Sequence, residues 1–219
     1  MLRSALHDKR EINMRKIWIA SLVLAVLGLI IYSVSGTQPA QVLDEAYLGR
    51  IREARRQKDQ TLHKATDSPI PEAQRATFAG LRYFAPVAGF RVMARLTRQP
   101  VLLPQPLAMS LGAPESYQRW GTAEFELNGK PQKLTLLQKA GDKQLFVPFT
   151  DPTNGEQTYG AGRYIDVPLP PAEANEVELD FNQAYNPYCA YNHAYSCPLP
   201  LAENRLTVPV AAGEQAFQL

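Results

Sequence analysis

The distribution of proline limits this chain more than any other feature. Of its 18 prolines, all but Pro39 lie between Pro69 and Pro209. An interior proline deletes a helical hydrogen bond and clashes with the preceding turn, so long helices cannot dominate that stretch. Short strands joined by loops can. With 45% hydrophobic and 20% charged residues, the composition suits a packed core and excludes a disordered tail or a collagen-like fibre. A length of 219 residues corresponds to one domain with extensions at a prior of roughly 150 residues per domain.

From Leu81 onward the apolar period is two. Phe90, Val92, Ala94 and Leu96 alternate with polar residues and Met93, as do Ala123, Phe125 and Leu127. Asn128-Gly129 then precedes a strand over 132–138; both residues of such a pair tolerate the positive φ of a type I′ hairpin turn. Further strands are predicted at 144–149, 163–167, 177–181 and 206–210. This pattern predicts a mainly β fold, an antiparallel sandwich or a partly open barrel over residues 65–219. Helices precede it. Leu43, Tyr47, Ile51 and Ala54 recur on one face of a helix over 41–64. Pro71 opens a shorter helix that runs to about Phe78.

Ahead of these elements stands Ile17–Val34, an uncharged run of eighteen residues. As a helix it spans about 27 Å, close to the ~30 Å of bilayer hydrocarbon. Trp18 and Tyr32 sit near its ends, where amphipathic rings favour the interface. Arg10, Arg15 and Lys16 precede it and Asp44 and Glu45 follow, so the positive-inside rule keeps residues 1–16 in the cytoplasm. The reading is a single-pass transmembrane anchor, or a signal segment, at 17–34. It places the C-terminal domain on the periplasmic or extracellular side of the cell membrane. The membrane itself is then the first partner. Residues 1–36 carry +3 and residues 37–100 carry +5, whereas 101–219 carry −6. Nucleic-acid binders concentrate Lys and Arg on the folded body; an acidic body argues against nucleic acid as a partner.

Two stretches concentrate polar residues and glycines: 149–164 and 180–205. The first holds Asp151, Thr158, Tyr159, Gly160, Gly162 and Arg163. It reads as a binding loop with amides free to point inward, or as an Asx-turn in which Asp151 holds its own backbone. The second holds Asn182, Asn186, Glu203, Asn204 and Arg205. Arg163 and Arg205 have planar forks suited to carboxylate or phosphate, with Asp151, Glu203 and Glu214 as internal alternatives. Cys189-x3-His193-x3-Cys197 could ligate zinc with one open position. On an oxidising side of the membrane, two cysteines in one turn-rich segment point instead to a Cys189–Cys197 disulfide. No metal or other cofactor is expected. The Gly-x-Ser-x-Gly elbow of serine hydrolases is absent.

Trp120-Gly121 with Phe125, FVPFTDPTNGEQTYGAGRY at 146–164, DFNQAYNPYCAY at 180–191 and Glu203-Asn204-Arg205-Leu206 resemble the domain-of-unknown-function family numbered 1684. The resemblance runs from about Glu45 to Glu214. It implies no activity, and it makes the apolar run an addition to the family domain. Three functions are carried forward. The first is a membrane-anchored envelope module that binds a small polar or anionic ligand through Asp151, Thr158, Tyr159, Arg163, Asn182, Asn186, Glu203, Asn204 and Arg205. The second is a hydrolase using Asp151 or Glu203 as general base. The third is a structural accessory whose motif residues only brace loops.

Overall fold

The computed structural model describes residues 43–218. The basic tail at 1–16 and the expected span at 17–34 lie outside them. Among the described residues no helix is long and apolar enough to cross a membrane.

Helix α1 runs Glu45–Lys64 rather than from residue 41, because Asp44 caps it: its Oδ1 accepts the Tyr47 amide at 2.6 Å. Glu45 in the first turn and His63 and Lys64 in the last complement the helix dipole. The buried stripe is Tyr47, Ile51 and Leu62; Ala54, expected on it, is exposed. At helical spacing the same stripe passes through Arg55 and Lys58. Two cations thus occupy body-facing positions. Tyr47 anchors the first turn by donating to both oxygens of Asp180, at 2.8 and 3.1 Å. A short α2, Glu72–Arg75, ends before Phe78 and continues as isolated turns. Arg75 ties it back through the carbonyls of Ile70 and Ala65 at 2.8 and 3.0 Å. Ile70, Leu62 and Tyr191 form a small satellite core there.

The body is one antiparallel sheet of six strands: β1 Arg91–Leu107, β2 Glu115–Leu127, β3 Lys130–Gln138, β4 Gln144–Phe149, β5 Arg163–Pro168 and β6 Glu176–Asp180. Their order is β5-β4-β3-β2-β1-β6, a five-strand meander whose sixth strand returns beside the first. The β2–β3 hairpin turns where the sequence predicts, with Asn128 at φ 50° and Gly129 at φ 72°, so Leu127 pairs Lys130. The sheet bends into half a barrel. Its inward side chains, including Trp120, Phe125, Leu134, Val147 and Ile165, form the main core.

This corrects the expected sandwich or barrel: no second sheet exists among the described residues. The reason lies in the segment expected as a strand at 206–210. Leu206, Val208, Val210 and Ala212 alternate inward and fill the core opposite the sheet, as period two requires. Leu206 gives its amide to Thr150 O at 2.8 Å beside an isolated bridge, but the backbone of Thr207, Val210 and Ala212 bonds side chains instead of a neighbouring strand. Gln132 Oε1 accepts the Thr207 amide at 2.9 Å, and Asp151 Oδ1 accepts the Val210 amide at 3.0 Å. Extended backbone whose partners are side chains builds no ladder, so the wall closing the half-barrel is a tail. Phe181 and Ala184 complete that wall.

Candidate functional site

Asp151 and Arg163 are the centre of the first polar motif, and both are buried. The side chain of each is 0% exposed, and Asp151 Oδ2 accepts from Arg163 Nη2 at 3.0 Å. The other carboxylate oxygen accepts from the Thr153 amide at 2.9 Å, the Thr153 hydroxyl at 2.7 Å and the Val210 amide. The Asx-turn reading therefore describes this loop. Arg163 spends its fork on the tail: Nη2 donates to Val210 O at 2.7 Å, and Nη1 to Ala212 O at 2.5 Å and Glu214 O at 3.2 Å. Burial pulls its guanidinium below the ordinary arginine range, and Asp151 opposes that pull. Nothing in this pair points at solvent. The Gly162 amide, expected to face a ligand, donates to Tyr159 O at 3.2 Å.

The remaining motif residues brace in the same way. Asn204, fully buried, receives the Thr135 amide at 2.7 Å and donates to Thr135 O and Pro148 O at 2.9 and 2.8 Å. It bridges β3 and β4, which share a single ladder pair, Leu137 with Phe146. Asn182 does likewise for Val87, accepting its amide at 2.9 Å and donating to its carbonyl at 3.0 Å. Thr158 Oγ1 lies 2.9 Å from Thr153 Oγ1, and the Asn186 amide NH2 holds Gln215 O at 2.8 Å. Glu203 sits at the surface against Arg119 at 2.6 Å; the guanidinium beside it lowers its carboxyl below the usual range. Arg205 is exposed and pairs by backbone with Thr150. Asp151 is buried with both oxygens engaged, and Glu203 is held at the surface in its ion pair with Arg119.

Cys189 and Cys197, expected as a disulfide, stand as neighbouring buried free thiols. The Cys189 amide donates to Cys197 Sγ at 3.1 Å, and the Tyr159 hydroxyl lies 3.6 Å from Cys189 Sγ. Burial pushes the Cys197 thiol up to about 12. His193 is exposed, and among the described residues no group of His, Cys, Asp and Glu is placed to hold a metal ion.

Among the described residues, hollows of about 590 and 510 Å³ open beside residues 142–146 and along α1 at Asp59 and His63, and a smaller cleft of about 160 Å³ lies where α1 crosses the body. Ile51, Arg55 and Lys58 line it from the helix; Tyr83, Tyr185 and Glu214 line it from the body. Glu214 is 1% exposed. It accepts from Lys58 Nζ at 2.5 Å, the Tyr191 hydroxyl at 2.6 Å and the Asn186 amide at 2.9 Å. Lys58 also stands over the Tyr185 ring, 5.0 Å from its centroid, and the Arg55 guanidinium lies 4.4 Å from that of Tyr83. Arg55 holds Phe84 O at 3.0 Å and Asn182 O at 3.4 Å. The Tyr83 hydroxyl is buried and has no hydrogen-bond partner. Burial, and then the nearby carboxylates of Glu214 and Asp59, raise the Tyr83 phenol far above its ordinary value, so it stays protonated.

Of the nine ligand residues expected from sequence, only Asn182 lines this cleft. Arg55, Lys58, Tyr83 and Tyr185 were missed. The signal available for two of them was the helical stripe itself, which places Arg55 and Lys58 between Ile51 and Leu62.

A solution NMR structure of an uncharacterised protein from Haloarcula marismortui is similar, with 35% sequence identity and a TM-score of 0.64. The likeness covers 78% of this chain and 95% of that one. No curated protein matches. The profile of a family described as protein of unknown function (DUF1684) matches residues 76–215, and with that match over most of its length the chain belongs to this family.

Proposed function

We propose that the protein is a binding module for a small polar ligand, held in the cleft beneath α1. The observation that carries this reading is the Tyr83 hydroxyl, buried without a partner in a cavity that also presents Lys58 and Arg55. A buried polar group left unpaired costs about 1–3 kcal/mol, which a ligand accepting its hydrogen bond offsets. The cleft volume of about 160 Å³ is close to that of an engineered cavity of ~150 Å³ that takes up benzene. The occupant is therefore the size of one ring. The motif loops supply rigidity: Arg163 and Asp151 hold the tail that carries Glu214.

We place this module outside the cytoplasm, on the strength of the uncharged run at 17–34 and the basic residues before it.

The test is a ligand-observed NMR screen of single-ring compounds against the full-length chain. At least one is expected to bind saturably. Its affinity should fall about tenfold in Tyr83→Phe, the equivalent of one hydrogen bond. Ring-sized ligands that bind equally well to Tyr83→Phe, or none that bind, defeat the reading.

A further inference from the structure

We infer that the cleft is built for a planar monocarboxylate, a ring-sized organic acid whose anionic group meets Lys58, Arg55 and Tyr83. This rests on the cleft reading above and names the ligand's chemical class.

The argument is an inventory of donors and acceptors. Lys58 carries three N–H donors and spends one on Glu214. Arg55 carries five and spends two, on the carbonyls of Phe84 and Asn182. Tyr83 spends none. The acceptors are in the opposite condition. One oxygen of Glu214 is taken by Lys58, and the other by Asn186 and Tyr191 together. The Asn182 side-chain oxygen is taken by Val87. Among the described side chains that line the cleft, unspent capacity is chiefly donor.

Charge points the same way. Among the side chains that line the cleft, two cations face one carboxylate, Glu214, which already accepts from Lys58, the Asn186 amide and the Tyr191 hydroxyl; Asp59, whose charge also reaches Tyr83, is not in the lining. A bound amine would meet repulsion from Lys58 and Arg55 and would find little beyond the exposed Gln183 side-chain oxygen to accept from it. A neutral amide would satisfy Tyr83 and leave the formal excess of one positive charge unanswered. A carboxylate satisfies both, with charge-assisted hydrogen bonds about twice as strong as neutral ones. Tyr83 and Tyr185 supply aromatic wall, which suits a flat ring packed offset or edge-on.

Benzoate, benzamide and benzylamine share one ring and differ in charge, so they are the probes. Each is titrated calorimetrically into the full-length chain at low and high salt. Benzoate is expected to bind at least tenfold tighter than benzamide, to weaken as salt rises, and benzylamine to give no saturable heat. Lys58→Met should remove the preference for benzoate over benzamide. Benzamide binding as tightly as benzoate, with both weakened by Tyr83→Phe, overturns the carboxylate inference and leaves the cleft as the ligand site. Absence of binding by all three overturns the carboxylate inference, and the cleft reading falls with it only when the wider screen of single-ring compounds also finds none that binds. The wild-type series decides the matter even if Lys58→Met does not fold.

Discussion

Arg163→Met is the substitution whose cost can be followed atom by atom. Methionine keeps most of the aliphatic volume and removes every donor. Asp151 Oδ2 then loses its partner at 3.0 Å inside a site where neither side chain is exposed. Breaking a buried ion pair from one side costs about 3–5 kcal/mol. Three tail carbonyls, Val210 O, Ala212 O and Glu214 O, lose a donor at the same time. At ~1–3 kcal/mol for each group left wholly unpaired, the total exceeds the pair alone, and a loss of at least about 4 kcal/mol follows. A domain of ordinary stability has roughly 5–15 kcal/mol to lose, so the variant should be marginal or unfolded. The assay is urea denaturation of wild type, Arg163→Met, Asp151→Asn and the double variant. The two positions share one interaction, so the double variant should cost less than the sum of the singles by about 2–3 kcal/mol. A loss below 1 kcal/mol for Arg163→Met, or strict additivity, refutes the reading of this pair as the brace of the tail.

Two further outcomes are expected. In the reduced, folded protein Cys197 should resist alkylation at neutral pH, because its thiol is pushed up to about 12 by burial and the thiolate is the reacting form. By linkage, its contribution to stability is full below the unfolded thiol value of ~8.5 and falls as pH rises toward the folded value; rapid alkylation of native Cys197 at pH 7 contradicts this. Export of the domain predicts that alkaline phosphatase fused after residue 219 is active in cells. An inactive fusion beside a fluorescent green-protein fusion at the same site reverses the orientation.

Local signals predicted local structure well. Strands β4 and β5 start where the alternating pattern starts, and the β2–β3 turn forms because Asn128 and Gly129 accept positive φ whatever surrounds them. The start of α1 was misplaced by four residues, since the Asp44 cap outweighs the apolar periodicity that begins at Leu43. Leu206–Val210 shows the limit of pattern: alternation reports which side chains are buried, and here it did. It does not report what the backbone bonds to. That depended on Gln132, Asp151 and Arg163, far away in sequence.

The same limit separates the motifs from the site. Residue types and spacing marked 149–164 and 180–205 as unusual, and family membership follows from those residues. Whether a polar side chain faces a ligand or another part of its own chain depends on which partners folding brings within about 3 Å, and spacing along the chain carries none of that. Asp151 and Arg163, twelve residues apart, found each other and the tail. Lys58 found Glu214 across 156 residues, and Tyr83 found no partner. The amino-acid order therefore determined the strands, the hairpin and the inward faces, because φ, ψ and hydrophobic period are local properties. Only the tertiary structure decided which polar groups were consumed as bracing and which were left without a partner beside the cleft, because satisfaction of a hydrogen bond is a property of a pair.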